Sequence, residues 1–180
     1  MIKLVIANDK VSKDFIKETI KNYHSYVPST SSVGRRIDWV VFNDDKPIGM
    51  IGIGSSVYPP PKDILKNTKL SIKEYKNKFN SFANNWRFCM RESIRNAGTQ
   101  ILKELRRQAP LYWKQKYNDD LLYLITFVAG GNNGAVYKAD NWSQIGQTSG
   151  LPPHKSISMK WDTHESLKEK YVKPTGENKK

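Results

Sequence analysis

Three short groups of residues carry side chains or backbone amides that could do chemistry. The first is the turn Gly130–Gly134, three glycines and two asparagines, followed by Ala135–Trp142 with Tyr137 inside it. A turn of this kind aims several N–H groups at whatever lies beyond the C-terminal end of the preceding strand, where open α/β sheets bind ligands. A plain tight connection would use the same residues. The second group is Arg91–Thr99, RESIRNAGT, a bend rich in Arg, Asn, Gly and Thr placed just before a helix. Free amides in a first helical turn, with the positive end of the helix dipole, suit a phosphate or pyrophosphate, and Arg91 and Arg95 add charge. The third is Tyr23-His24-x-Tyr26. Histidine changes charge near neutral pH, so between two tyrosines it is a candidate site wall or proton carrier; a solvated loop histidine is the plain alternative.

These groups need a scaffold, and the hydrophobic pattern supplies one. Leu121–Val128 is apolar or aromatic except for Thr126, which reads as a strand covered on both faces. A short helix follows the glycine turn, then a strand over Ser143–Thr148. Upstream, Lys3–Asn8 reads as a first strand. Ser12 is placed to cap a helix from Lys13 to His24, with Phe15, Ile16, Thr19, Ile20 and Tyr23 on one face. Arg36–Phe42 and Pro47–Gly54 form a hairpin through Asn43–Lys46. Glycines 49, 52 and 54 leave gaps in its second strand for a close backbone, a flat ligand or a packed helix. Ile72, Tyr75, Phe79 and Phe82 predict one amphipathic helix whose outer face carries Lys69, Lys73, Lys76 and Lys78. Asn85–Met90 reads as a strand, and a helix starting near Asn96 runs through Ile101, Leu102, Leu105 and Ala109 until Pro110 breaks it. Ser156–Trp161 adds a last strand, and residues 162–180 are expected to form a frayed basic tail.

At 180 residues the chain is expected to form one domain, over residues 1–161. A hydrophobic share of 38% supports a real core, while 26% charged residues and a mean hydropathy of −0.66 argue against a membrane protein. No signal-type segment opens the sequence, and a single cysteine, Cys89, leaves no intramolecular disulfide, which together predict a cytoplasmic protein. The three histidines have no zinc-ligand spacing, so no metal is expected. Net charge is +13, of which residues 61–120 contribute +8 (14 basic, 6 acidic). A localised positive field draws phosphate polyanions by counterion release, which favours a nucleic-acid partner over a solvated lysine surface.

The order of elements, with a phosphate-type turn after the fourth strand and a tyrosine after the fifth, resembles the GNAT acyltransferase fold. This is an α/β (α+β) architecture with a mixed, twisted sheet of about six or seven strands flanked by helices. A closer similarity is to the Mom family of bacteriophage DNA-modification proteins and a related phage-defence group. It rests on Thr126-Phe127-Val128-Ala129, the glycine turn, and Val136-Tyr137-Lys138-Ala139-Asp140-Asn141-Trp142, with support from Arg87, from Arg95-Asn96-x-x-Thr99 and from Tyr23-His24-x-Tyr26. Two positions depart from the family pattern: Ala129 stands in place of an aspartate, and Gln100 in place of an arginine or other polar residue.

The resemblance implies a phage-encoded enzyme acting in the bacterial cytoplasm. It would move an acyl-type, carbamoylmethyl-like group from an activated donor, a coenzyme A thioester or a charged tRNA, to the N6 amine of adenine in DNA and so protect it from restriction. That amine is a poor nucleophile, so the catalyst must hold it near an activated carbonyl, remove a proton and stabilise the oxyanion. In duplex DNA the base must also be flipped into a pocket with aromatic walls. On this reading Tyr137 is a proton donor or orienting hydroxyl, Asn141 a hydrogen-bonding group, and His24 the base that replaces the missing carboxylate. Arg87, Arg91, Arg95, Asn96, Gly98 and Thr99 hold the anionic donor. Tyr26 with Lys69, Lys73, Lys76 and Lys78 meets the DNA, and Trp86 or Trp142 offers a further stacking face. Two alternatives stay open: a GNAT acyltransferase acting on a small amine, tRNA or protein, and a non-catalytic nucleic-acid-binding protein of the same fold.

Overall fold

The computed structural model describes residues 1–24, 30, 33–129, 133–147 and 168–174. Seven strands form a single mixed sheet in the order β1-β2-β3-β4-β5-β7-β6, made of β1 (Ile2–Ile6), β2 (Arg36–Asn43), β3 (Lys46–Ser55), β4 (Phe82–Met90), β5 (Tyr123–Ala129), β6 (Ser143–Gln147) and β7 (Lys168–Pro174). Five helices accompany them: α1 (Lys10–Tyr23), α2 (Lys62–Thr68), α3 (Ile72–Asn77), α4 (Ala97–Tyr117) and α5 (Ala135–Ala139). None is long and apolar enough to cross a membrane among the described residues.

Alternation along the strands sorts the core into two layers. One face sends Trp39, Val41, Ile51, Ile53, Leu124 and Val128 against α4 and α5. The opposite face is covered in two halves. Ile16 and Ile20 of α1 pack on Val40, Met50 and Cys89, while Ile64 of α2 and Tyr75 of α3 pack on Phe82, Ile125 and Val172. His24 and the lysine-bearing segment 62–78 therefore lie on the same side of the sheet.

Neighbouring strands run antiparallel except β4 and β5, which are parallel and pair only from Phe82–Asn84 to Tyr123–Ile125. Both strands continue past that point, β4 to Met90 and β5 to Ala129, without pairing to each other. A parallel pair that separates in mid-sheet leaves a wedge lined by backbone and side chains from both strands. That wedge positions the site.

Four expectations need correction. Asp9, not Ser12, caps α1, its carboxylate accepting from the Ser12 amide at 2.8 Å. The single amphipathic helix expected across Ile72–Phe82 is instead α2, α3 and one 3₁₀ turn. Lys69 takes the left-handed conformation (φ 56°) that ends α2, a Ser71–Glu74 capping box starts α3, and Phe82 already belongs to β4. Pro110 does not end α4. It removes the amide that would bond the Arg106 carbonyl, but the next two turns are tethered elsewhere. The Trp113 indole donates to Asn80 O at 2.8 Å, and the Tyr117 hydroxyl bonds both the N–H and the C=O of Arg36.

The fourth correction concerns the tail. Residues 168–174 do not fray but form β7, paired with β5 on one side and β6 on the other. Only Val172 of this segment is an aliphatic in the core (1% exposed), so composition hides the strand; a two-sided backbone ladder holds it. The strand expected at Ser156–Trp161 lies outside the described residues.

Candidate functional site

The wedge between β4 and β5 encloses a cavity of about 420 Å³. Asn85 to Met90 of β4 form one wall, Thr126 to Val128 of β5 the other, and Asn133 to Tyr137 close one end. Tyr23 and His24, at the C-terminal end of α1, close the other. Four features named from sequence thus meet here: His24, Arg87, Tyr137 and part of the glycine turn. Residues 130–132 and Tyr26 lie outside the described residues. Among the described lining residues there is no aspartate or glutamate, so His24 is the candidate proton acceptor of the lining.

Tyr137 is buried (7% exposed) but its phenol is not lost in an apolar interior. Its hydroxyl donates to Asn85 Oδ1 at 2.7 Å. The direction follows from the partners of Asn85. Its Nδ2 bonds the carbonyl oxygens of Gly52 (2.8 Å) and Arg87 (3.0 Å), which only accept. The amide oxygen must therefore face the phenol, and the phenol must give the proton. Asn85 is the residue that sequence reading missed. Its signal was available: an amide inside a strand that carries Phe82, Trp86 and Phe88, at a position no apolar pattern explains.

One ring contact, itself braced from behind, fixes Tyr137. Its ring packs edge-on against Trp142, with centroids 5.0 Å apart. The Trp142 indole donates to Asp140 Oδ2 at 2.9 Å, and Arg106 of α4 grips both oxygens of Asp140 at 2.9 and 3.0 Å. Asn141, expected to act in catalysis, does not line the cavity. It is exposed in a left-handed conformation (φ 56°), and its carbonyl accepts from Lys173.

Burial, with a smaller contribution from the Arg87 charge, pushes the His24 imidazole down from 6.5 to about 4. It is therefore neutral at physiological pH, and its burial makes it a weak base in the resting protein. The sign fixes a stability prediction. Between about pH 6.5 and 4 the unfolded chain takes up a proton that the folded one refuses, so stability falls as pH drops through that window. In His24→Gln, melting temperature against pH loses this component; an unaltered profile would show that His24 is not desolvated. Cys89 shares the wall, but burial raises its thiol to about 11, which leaves it an unreactive small apolar group.

Trp86 forms the side wall toward β3. Its indole N–H donates to Asp38 Oδ1 at 3.0 Å, and the Arg36 guanidinium lies 4.0 Å from its ring centre. Arg87 approaches the same ring at 4.7 Å. The Trp86–Asp38 bond passes directly over Gly52, where any β-carbon would collide with both partners. One of the three glycine gaps in β3 is thus occupied by a side-chain hydrogen bond and not by a ligand.

The second candidate turn, before α4, sits beside this cavity. A hollow of about 300 Å³ is lined by Met90 to Ile94, Ala97 and Gly98, and Met90 belongs to both spaces. The N-terminus of α4 opens here, and no hydrogen bond among the described residues engages the amides of Gly98 and Thr99. Gly98 packs against Val136 of α5, leaving no room for a β-carbon, so the two turns are neighbours. The candidates divide. Gly98 and Arg91 line the hollow, but Arg91 is engaged in holding α1 to β4, bonding Thr19 Oγ1 and Glu18 and stacking on Phe15. Arg95 and Asn96 are exposed, and the Thr99 hydroxyl turns back to the Asn96 carbonyl. Lys69, Lys73, Lys76 and Lys78 lie outside the cavity, all exposed on the α2–α3 segment.

The fold is that of the GNAT acetyltransferases. The structure superposes on Arabidopsis thaliana NAA60 in complex with acetyl-CoA with a TM-score of 0.64 and 12% identity, covering 97% of this chain and 98% of that one. It also superposes on the spermidine N-acetyltransferase of Vibrio cholerae in complex with CoA and spermine, with a TM-score of 0.56, 13% identity, and coverage of 97% and 95%. No protein-family model and no curated protein matches the chain.

Proposed function

We propose that this chain is an acyltransferase that moves an acyl group from a thioester donor to an amine carried by nucleic acid, the exocyclic amine of adenine being the acceptor the sequence resemblance favours. The observation that carries the transfer reaction is the wedge where β4 and β5 part, with a neutral imidazole at one end and a hydrogen-bonded phenol at the other.

The residues fit a coenzyme A type donor. The unengaged amides of Gly98 and Thr99 at the α4 N-terminus suit a diphosphate, and the adjoining cavity is long enough in its lining, from Met90 to Asn85, to receive a thioester arm. When bound, such a donor supplies the activated carbonyl carbon. His24 takes the proton of the attacking amine at its imidazole nitrogen. Tyr137 holds a proton at Oη that rests on Asn85 Oδ1 and turns toward the departing group at the cost of one hydrogen bond. Trp86, stiffened by Asp38 and Arg36 and with the Arg87 guanidinium 4.7 Å from its ring centre, puts a planar indole–guanidinium surface in the wall for a base.

Charge discriminates between acceptors. A polyamine such as the spermine in the Vibrio cholerae structure would meet the Arg87 guanidinium in the cavity and a chain of net charge +13. A phosphodiester meets the opposite. Six exposed lysines between residues 62 and 78, against Asp63 and Glu74, stand on the His24 side of the sheet.

Nucleoside mass spectrometry of DNA co-expressed with the protein tests the reading. An adenine adduct that disappears in Tyr137→Phe supports it. Acylation of a polyamine or protein with unmodified DNA overturns the acceptor and keeps the transfer chemistry. A separate expectation concerns the lysines. Charge reversal at Lys69, Lys73 and Lys76 should weaken duplex binding and flatten its salt dependence by roughly 0.9 for each phosphate that is no longer neutralised. Unchanged affinity and slope would remove the α2–α3 segment from the DNA interface.

A further inference from the structure

Behind the Trp86 wall lies a second cavity, of about 390 Å³, that the acyl transfer does not use. Its floor is apolar, built from Ile6, Ala7, Ile16 and Ile37, and its rim carries Lys13, Lys17, Arg36 and Lys116 against one acid, Asp38. That acid is already engaged, with Oδ2 bound by Arg36 Nε at 2.5 Å and Oδ1 by the Trp86 indole. Lys17 makes only a surface pair with Asp14, and Lys116 gives one of its three protons to the Arg36 carbonyl. The Lys13 ammonium has no ion pair or hydrogen bond among the described residues. The rim is thus a cluster of cations with spare donors.

The two cavities are separated by a pair of stacked side chains. Trp86 faces the first, Arg36 and Asp38 face the second, and the guanidinium lies 4.0 Å from the indole centre. A nucleotide with its base against one side of such a wall carries its phosphates about a residue's width away. We propose that this second cavity seats a backbone phosphate of the nucleic acid whose base enters the first. The assignment rests on nucleic acid being the acceptor, and it makes Lys13 and Lys116 phosphate contacts that are separate from the α2–α3 lysines. The indole wall then sets the register between base and backbone, which favours an unstacked strand over a continuous duplex.

The test compares the full chain with Lys13→Glu/Lys116→Glu, both sites being exposed, and with Lys13→Arg/Lys116→Arg. A labelled single-stranded adenine-containing oligonucleotide is titrated across salt concentrations, and inorganic phosphate is followed by phosphorus NMR. In the glutamate variant the oligonucleotide should bind about tenfold more weakly, with a salt slope shallower by roughly 0.7, the value for one single-strand phosphate. The arginine variant should match the parent, and phosphate broadening should vanish only in the glutamate variant. If phosphate broadening vanishes but oligonucleotide affinity and slope are kept, the cavity takes free anions and the backbone assignment is overturned. If neither changes, the cavity is no anion site, and adduct formation by the parent protein then shows that the acceptor reading survives without it. If the parent protein binds no oligonucleotide and forms no adduct, both readings fall.

Discussion

Arg106→Ala should lower stability by about 3–5 kcal/mol, the range for breaking a buried ion pair by removing one partner. The Asp140 side chain is 8% exposed and loses both charge-assisted bonds at once, keeping only the Trp142 indole among its described side-chain donors. For a chain of this size the melting temperature falls by roughly 10 °C. The network is also what fixes the Tyr137 ring, through Trp142, so residual activity at low temperature should be reduced beyond the loss of folded protein. Arg106→Lys keeps a charge but not the two-pronged grip and should recover only part of the stability. Calorimetry of the three proteins decides the matter; a shift of a degree or two for alanine would mean the carboxylate is far better solvated than its burial indicates.

Tyr137→Phe should leave the fold intact and cut turnover by about 10²–10³-fold, within the range for loss of one general acid or base. The ring still packs on Trp142, so only the Oη atom and its proton are removed. Asn85→Leu should come close to the same loss with the phenol still present, because Asn85 holds the hydroxyl proton in place and ties it to the Gly52 and Arg87 carbonyls. Adduct formation per unit of folded protein is the readout. Near-normal turnover in both variants would place proton transfer elsewhere, and His24→Gln then becomes the decisive comparison. Normal turnover in Asn85→Leu alone would reduce Asn85 to a packing residue.

Asn85 and Asn141 show how local pattern and tertiary placement divide the information. Both are asparagines near aromatics, and the family resemblance singled out Asn141. Yet the turn that follows α5 swings Asn141 into solvent, while Asn85, 52 positions upstream of Tyr137, is brought under the phenol by the parallel pairing of β4 with β5. Arg91 makes the same point. It belongs to a basic turn, and only the packing of α1 on β4 shows that its guanidinium is engaged by Thr19, Glu18 and Phe15.

The fold class was legible through the resemblance of the element order to a known fold; what single stretches of chain determined by themselves was the β2–β3 hairpin, the buried strand β5, the short helix and strand that follow it and the concentration of positive charge. Each of these depends on periodicity, turn chemistry or composition within one stretch, which neighbours in sequence can specify. The tertiary structure alone decided that β7 completes the sheet, that α4 runs through Pro110, that β4 and β5 separate after three paired residues, and that Trp86 divides two cavities. Those outcomes come from backbone ladders, tethers and desolvation between residues far apart in the chain, and their free energies do not exist until the distant partners meet.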